Sequence, residues 1–305
     1  MPQQPIFAAL IRTTGARNEL LLDALESVEL QSQPCLAIVA VHAQESIWSE
    51  VRALCPSANV LHAPNEDPAR RRGYPVNVGI DHCLEQHPEI ECVFLLDDDD
   101  IIYPFFTSMM TATFEATGAD LVYASANCRE SGKPLAPAYP IKPFYHLFDR
   151  NFIPSNSYAI RTSFLKRSAV RMDEDLDSLE DWLFLLRLIE HGCRFAPLDA
   201  TLSEFRSDAP AESAHRYNLE QWNASAERIR AYINSTNFQI SGAELSTLAE
   251  RNQNPTQDET RFADSSTTAA LHRRIWDLEH SLSWKSTAPL RKVASNLMRL
   301  KKPRT

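Results

Sequence analysis

The sequence predicts an α/β fold in which a mainly parallel sheet is flanked by helices and followed by a C-terminal helical extension. Short apolar runs alternate with stretches of helical spacing over residues 6–128, the pattern of strands joined by crossover helices. One apolar run, Val93 to Leu96, ends abruptly in four carboxylates, Asp97 to Asp100. A buried strand that emerges at the edge of a sheet has this pattern, so we expect the acidic run at that edge.

The strands and helices of the first half follow one another in strict alternation. Apolar runs predict strands over residues 6–13, 35–43, 59–64, 91–96 and 120–128. The stretches between them predict helices over residues 19–31, 46–55, 76–87 and 104–118. Ser46 is predicted to cap the second helix, and the fourth begins on Pro104 and ends on Gly118, as helices prefer. Ligands of such sheets bind beyond the carboxyl ends of the strands, where the acidic run lies.

The second half is less regular. Residues 131–143 contain four prolines and predict a surface loop. Later patterns predict a strand running into a turn over 156–165, a helix over 179–192, a strand over 193–207 and a helix over 211–233. The predicted domains are a catalytic domain over 1–210, a helical extension over 211–250, a polar linker over 251–268 and a basic amphipathic tail over 269–305.

Composition and charge exclude several classes of protein. The 305 residues are 44% hydrophobic and 23% charged, which is ordinary for a globular chain. The net charge of −9 argues against a general nucleic-acid binder. Six scattered cysteines without a CxxC pair indicate reduced thiols rather than disulfides or a zinc site. The N-terminus lacks the pattern of a signal peptide and no apolar window is long enough to span a membrane, so we expect a cytoplasmic protein.

Two interpretations apply to the acidic run. Four adjacent carboxylates repel one another and each is costly to desolvate, and a hard divalent cation with a phosphorylated ligand would remove both problems. Alternatively, the run is a solvated acidic loop that caps the next helix. The basic tail likewise has two interpretations, since residues 285–305 carry seven Lys or Arg and no acid. It could contact an anionic membrane surface peripherally, or form a solvated helix.

Four segments in chain order resemble the family 2 glycosyltransferases with the A-type nucleotide-sugar fold, over about residues 6 to 208. They are RTTGAR at 12–17, RRRGYPVNVGI at 70–80, LDDDD at 96–100 and LEDWLFLLRL at 179–188. The matched positions are Thr13, Arg17, Leu21, Ala24, Leu25, Ser27, Gln31, Asn77, Gly79, Leu96, Asp97, Asp99, Asp100, Pro104, Asp173, Glu174, Leu176, Glu180, Asp181, Trp182, Arg187, Leu188 and Gly192.

The resemblance implies a metal-dependent, inverting transfer of a sugar from a nucleotide-diphosphate donor to a hydroxyl. Mg2+ or Mn2+ would be held by Asp97 and Asp99, with Asp100 either a further ligand or a helix cap, while Asp98 is the variable middle position. The catalytic base would be Asp181, with Glu180 second. Because both lie at a helix start, we expect the helix dipole to lower the pKa of both carboxylates. Predicted donor-binding residues, one of the three consecutive arginines among them, are Thr13, Arg17, Arg72, Asn77 and Asp97.

Two departures from the family pattern leave parts of the site unassigned. The second strand ends in His42 where the family has an Asp that recognises the nucleotide base, and Asp208 is the candidate substitute for a metal-site histidine. The QxxRW motif of processive synthases is absent, which favours single transfer. Residues 281–293 resemble a segment of bacterial cell-surface polysaccharide transferases, which implies a glycan or lipid-linked glycan acceptor at the inner face of the cytoplasmic membrane.

Two other functions compete with sugar transfer. A nucleotidyltransferase would need a glycine-rich phosphate loop after the first strand, and Gly15 alone stands there. A degenerate, non-catalytic sugar- or nucleotide-binding scaffold protein fits the missing base-recognising Asp and the missing histidine. Sugar transfer is the leading hypothesis, since it uses all four segments.

Overall fold

A computed structural model describes residues 6–67, 71–130, 135–137, 139–206, 219–238 and 240. The linker predicted over 251–268 and the basic tail predicted over 269–305 lie outside these residues, as do Arg70 and Asp208.

Nine strands and seven α-helices make up the described part of the chain. The strands are β1 Phe7–Thr13, β2 Cys35–Val41, β3 Asn59–His62, β4 Cys92–Asp97, β5 Ile101–Ile102, β6 Leu121–Arg129, β7 Ala136–Pro137, β8 Tyr158–Arg161 and β9 Phe195–Arg206. The helices are α1 Asn18–Glu29, α2 Glu45–Leu54, α3 Gly73–Gln86, α4 Phe106–Thr117, α5 Thr162–Ser168, α6 Glu180–Glu190 and α7 Leu219–Ser235. Two short 3-10 helices span Phe144–Phe148 and Ser155–Ser157.

One sheet carries all of these strands, in the order β3-β2-β1-β4-β8-β6-β9-β5, with β7 pairing β6. The first four strands in this order are parallel, as the alternation of strands and helices predicts. Within the parallel half, Arg12 of β1 lies opposite Asp97 of β4. The end of the first strand and the start of the acidic run therefore meet at the carboxyl edge of the sheet.

The other half of the sheet is mixed. Strand β8 runs antiparallel to both β4 and β6, whereas β6 and β9 are parallel. A parallel connection needs a long crossover, usually a helix, but β6 reaches β8 through β7 and the two 3-10 helices. The region 156–165, predicted as one strand entering a turn, is divided among the second 3-10 helix, β8 and α5.

The predicted ends of two helices, α4 and α2, can be compared with the structure. Gly118 follows α4 with φ of 64°, the left-handed conformation in which a helix commonly terminates on glycine. The predicted cap at Ser46 is wrong, because α2 begins at Glu45 after an extended Gln44 that makes no side-chain cap bond. Helix α6 packs most of its residues in the interior, from Trp182 to Ile189.

The expectations about cysteines and membrane spans can be checked on the described residues. All six cysteines are free thiols, and four of them are buried, Cys55, Cys83, Cys92 and Cys193. Within the described ranges, none of the helices combines the length and apolar character needed to cross a bilayer.

Candidate active site

Three chain segments meet at the carboxyl edge of the sheet: the end of β1, the end of β4 and the start of α6. The guanidinium of Arg12 joins them. It binds both carboxylate oxygens of Asp97, with Nη2 3.1 Å from Oδ2, and its Nη1 lies 2.6 Å from Oε1 of Glu180. Because the register already sets Arg12 opposite Asp97, one side chain from β1 ties the acidic run to the first turn of α6.

A second arginine, Arg17, neutralises the middle of the acidic run. Its guanidinium forms ion pairs with Asp98 and Asp99. Asp98 also accepts a hydrogen bond of 2.6 Å from the Thr13 hydroxyl, which in turn accepts one from the Gly15 N–H. Burial raises the pKa of Asp98 to about 6, although Thr13 and Arg17 act in the opposite direction. The turn after β1 is therefore built around Asp98, which is 1% exposed.

Asp100 is hydrogen-bonded to the mixed half of the sheet. It accepts hydrogen bonds from the Asn156 amide at 3.0 Å and from the Arg206 backbone N–H at 3.3 Å. Burial, followed by the charges of Asp97 and Asp99, raises its pKa well above the usual range. This places Asp100 in a polar network at the end of β9.

Glu180, the first residue of α6, is 2% exposed and lies between two guanidinium groups. Arg12 approaches its Oε1 at 2.6 Å and Arg72 Nε at 2.9 Å. Burial alone would raise the pKa of Glu180, but the two arginines outweigh it and lower the pKa to about 2. The expected lowering occurs here, and the guanidinium groups are its main cause.

Asp181, the next residue, has the opposite environment. Burial, with the charge of Glu180 adding to it, raises the pKa of Asp181 to about 6, although Arg12 and the Trp182 backbone N–H act to lower it. The expectation that the helix dipole lowers this pKa is therefore wrong in sign. Its carboxylate accepts a hydrogen bond of 2.8 Å from the amide of Asn151. A carboxylate with a pKa of about 6 is ionised at neutral pH and can still take up a proton.

Asp97 and Asp181 line the same small cavity, together with Arg12 and Ser155. Its volume is about 10 Å3, and its remaining lining is apolar. The acidic strand end and the candidate base thus line one small cavity.

Asn77 and the arginine loop have contacts of a different kind. The amide of Asn77 donates to the Met172 carbonyl at 3.0 Å and to Glu174 Oε1 at 2.8 Å, and its oxygen accepts from the Met172 N–H at 2.9 Å. Asn77 therefore fastens α3 to the segment that precedes α6, and donor binding through it stays a prediction. Of the two consecutive arginines that the structure describes, Arg71 pairs with Asp177 and Arg72 pairs with Glu180.

Comparison with known proteins bears on the fold. No protein-family model matches the chain, and neither does any curated protein. Solved structures of S. aureus TarS do match it. TarS 1-349 in complex with UDP-GlcNAc has a TM-score of 0.58 at 18% identity, covering 78% of this chain and 68% of that one. The complex with UDP has a TM-score of 0.56 at 18% identity, covering 76% and 67%.

A further TarS structure has a TM-score of 0.55 at 16% identity and covers 76% of this chain but 40% of that one. The chain has the A-type glycosyltransferase fold. The fold class predicted from the sequence and the resemblance to family 2 are thereby confirmed at the level of fold.

The A-type fold implies a divalent metal, so its donor set can be tested against the residues present. Within the described ranges, no three His, Cys, Asp or Glu side chains are grouped as a metal site. Asp100 faces Asn156 instead. Asp97 and Asp99 are two further oxygen donors, and each is paired with a guanidinium, that of Arg12 or Arg17. Mg2+ commonly takes one or two carboxylates plus phosphate and water oxygens, so these donor types fit the ion. Metal binding by Asp97 and Asp99 stays a prediction.

Several site residues were given no role by the sequence patterns. Asp98 was treated as the variable middle position, yet it is the most buried acid of its run. Asn151 and Asn156 each bind a site carboxylate. The buried hydroxyl of Tyr158 makes no hydrogen bond within the described residues, and burial and Asp181 raise its pKa. The signal that could have found Asp98 is its apolar context, since a carboxylate directly after a buried strand is costly to leave unpaired.

Proposed function

We propose that this protein is a nucleotide-sugar-dependent glycosyltransferase that moves one sugar at a time to a hydroxyl acceptor. The observation that carries the proposal is the pairing across one cavity of Asp97, at the end of the acidic run, with Asp181, a carboxylate of raised pKa. The A-type fold adds support, since S. aureus TarS was solved with UDP and with UDP-GlcNAc in that fold.

The proposed reaction is a single displacement. Asp181 accepts the proton of the acceptor hydroxyl as the acceptor oxygen attacks the anomeric carbon of the donor sugar. The new carbon–oxygen bond forms on the face opposite the departing diphosphate, which leaves with the electron pair of the broken bond. The configuration at the anomeric carbon is thereby inverted. Asp181 then releases its proton to solvent, which its pKa of about 6 permits at neutral pH.

The charge balance of the site favours a divalent cation. Within the described residues, six carboxylates meet there, Asp97, Asp98, Asp99, Asp100, Glu180 and Asp181, and the guanidinium groups of Arg12, Arg17 and Arg72 pair with four of them, Asp97, Asp98, Asp99 and Glu180. A donor diphosphate would add further negative charge to this excess. Mg2+ or Mn2+ held by Asp97 and Asp99 would offset that repulsion and stabilise the charge that develops on the leaving diphosphate.

Donor binding is the first experiment. The unfolding temperature would be measured with UDP-, GDP-, dTDP- and CMP-sugars, each with and without Mn2+. A rise for one donor that requires Mn2+ is expected, because a ligand that binds only the folded state stabilises it. That result would identify both the nucleotide and the need for metal. No rise with any donor would contradict the proposal and favour the non-catalytic scaffold.

The acceptor side of the proposal rests on the sequence of the basic tail. We propose a lipid-linked glycan acceptor in cell-surface polysaccharide assembly, with residues 269–305 held at an anionic membrane surface. Deleting residues 270–305 should reduce sedimentation with phosphatidylglycerol vesicles and leave donor binding unchanged. Neutral phosphatidylcholine vesicles serve as the control. Equal binding of the full-length and the truncated protein to anionic vesicles would contradict the role of the tail.

A further inference from the structure

Asp181 is held by a segment that the sequence patterns did not connect with the site. Asn151 lies just after the first 3-10 helix, Phe144–Phe148, and its Nδ2 donates to Asp181 Oδ2 at 2.8 Å. Among the described residues, it is the side chain that donates a hydrogen bond to this carboxylate. The two residues are separated by 30 positions in the chain.

The orientation of the Asn151 amide is fixed by a second contact. Its Oδ1 accepts a hydrogen bond of 3.1 Å from the backbone N–H of Ile153. Because a backbone N–H can only donate, the oxygen of the amide must face Ile153 and the nitrogen must face Asp181. The amide therefore presents a donor to the carboxylate in a defined direction.

The backbone that carries Asn151 is also fastened on both sides. Trp182, the residue after Asp181, donates from Nε1 to the Leu147 carbonyl at 2.7 Å. On the other side, Phe152 and Ile153 are buried, at 6% and 1% exposure. The segment is thus docked on the first turn of α6, so the backbone that carries Asn151 cannot shift relative to Asp181 without breaking these contacts.

We propose that Asn151 is a positioning residue for Asp181, whose side-chain amide sets the direction of the carboxylate that accepts the acceptor proton. The proposal rests on the proposed function, because it takes Asp181 as the base. An ionised carboxylate has lone pairs on both oxygens, so one amide bond orients it without using up its capacity to take a proton.

The charged and titratable groups around Asp181 explain why an amide suits this position. They are Glu180, Arg12, Arg72, Asp97 and Tyr158. Glu180 shows what cationic partners do, since Arg12 and Arg72 lower its pKa to about 2. A carboxylate with that pKa would be a weak base. A neutral amide holds Asp181 in place against the repulsion of Glu180 without removing its basicity.

The test compares Asn151→Asp and Asn151→Ala with wild type. The first replaces the amide by a carboxylate of the same shape, and the second removes it. In a carboxyl 13C NMR titration, the Asp181 signal, assigned by its loss in Asp181→Asn, should titrate at higher pH in both variants, by about one pH unit in Asn151→Asp. At pH 9, where Asp181 is ionised, kcat should fall at least about tenfold from misorientation while the donor KM stays within about twofold.

Asn59→Asp is the matched control, because Asn59 contacts His87 at the opposite edge of the sheet. It should leave both the Asp181 titration and kcat unchanged. An Asp181 titration that stays at its wild-type pH in both Asn151 variants would overturn the positioning role, whatever the activity. Full turnover in Asp181→Asn would remove Asp181 as the base, whereas wild type that neither binds nor turns over any nucleotide sugar would contradict the proposed function, so these failures are distinguishable from a failure of the positioning role.

Discussion

The carboxylates at the end of β4 and those at the start of α6 lie in one site but differ in the number of guanidinium groups that pair with each carboxylate. At the end of β4, Arg12 and Arg17 pair with three acids. Within the part of the chain that the structure describes, the fourth acid, Asp100, accepts hydrogen bonds from an amide and a backbone N–H. At the start of α6, two guanidinium groups converge on Glu180 alone.

The pKa values follow this difference. Asp98 and Asp100 have raised pKa values, since burial exceeds what the available cations offset. Glu180 is also buried, yet its pKa is about 2. The number of cations for each carboxylate therefore decides its pKa here, and not its position at a strand end or helix start. The strand end therefore has two buried acids of raised pKa, and α6 has one, Asp181.

If Asp181 is the base and Glu180 is a structural partner of two arginines, the largest effect on activity should come from a change at Asp181. Asp181→Asn should lower kcat about 10²–10⁴-fold, the usual contribution of a general base. Donor affinity by calorimetry should stay within a few fold, since the amide keeps the shape of the carboxylate. Asp175→Asn, at an exposed carboxylate of the same segment, is the control and should retain wild-type turnover. Retained turnover in Asp181→Asn would remove it as the base.

Glu180→Gln should have its largest effect on stability. It removes the carboxylate shared by Arg12 and Arg72, whose side chains are 15% and 28% exposed, so that Arg12 keeps its ion pair with Asp97 while Arg72 loses the one with Glu180. The expected loss is about 3 kcal/mol in urea unfolding at pH 7, the lower end for breaking a buried ion pair because the arginines are partly solvated. Glu85→Gln, at an exposed position on α3, should change stability by less than about 0.5 kcal/mol.

The pH dependence of that loss provides a second check. The folded pKa of Glu180 lies below its ordinary value, so its stabilisation is present above about pH 4.3 and is lost as the pH falls towards 2. The difference between wild type and Glu180→Gln should therefore shrink between pH 4 and pH 2. A difference that is constant over this range would indicate a packing defect rather than a lost charge.

Much of the fold could be predicted from the sequence, because most of its strands and helices have an apolar pattern within a few adjacent residues. The parallel strands β1 to β4 and helix α6 have continuous apolar runs or stripes, and the structure has them within a few residues of the predicted bounds. Strands β5 and β7 have two residues each, which is too short for any period to register. Strand β8 pairs antiparallel with β4 and β6. This pairing joins residues that are distant in the chain, so the residues next to β8 do not predict it.

The candidate site was predictable in position but not in its internal pairing. The acidic run and the Glu180–Asp181 pair stand out as charge at the ends of apolar elements. The ion pair of Arg12 with Glu180 joins residues 168 positions apart, and the hydrogen bond of Asn151 to Asp181 depends on how a 3-10 helix docks on α6. The pKa of a carboxylate depends on such partners, so the helix-dipole argument failed for Asp181.

Thr13→Val tests whether the hydrogen bond from the Thr13 hydroxyl stabilises the buried carboxylate of Asp98 at the end of β4. The hydroxyl of Thr13 donates to the buried Asp98 at 2.6 Å, and a bond to a charged group of this kind contributes about 2 kcal/mol. The variant should lose about that much in urea unfolding at neutral pH. Thr113→Val, which removes a hydroxyl bound only to a helix carbonyl, should change stability by less than about 0.5 kcal/mol. Equal losses in both variants would contradict a special role for the Thr13–Asp98 bond.

The smallest expected effect concerns the stability cost of keeping Asp181 basic. Its folded pKa of about 6 exceeds the ordinary value, so between about pH 4 and pH 6 the folded state binds a proton that the unfolded state has released. Stability contributed by this group therefore falls as the pH rises through that range.

Asp181→Asn removes this penalty and should be more stable than wild type by about 1 kcal/mol at pH 8. The figure is reduced from the full effect of the raised pKa because Asp181 is partly exposed. At pH 4 the two proteins should unfold at the same urea concentration, because Asp181 is then protonated in the folded state. A variant less stable than wild type at pH 8 would mean that Asp181 contributes to folding as Glu180 does, and the contrast between the two neighbouring acids would not hold.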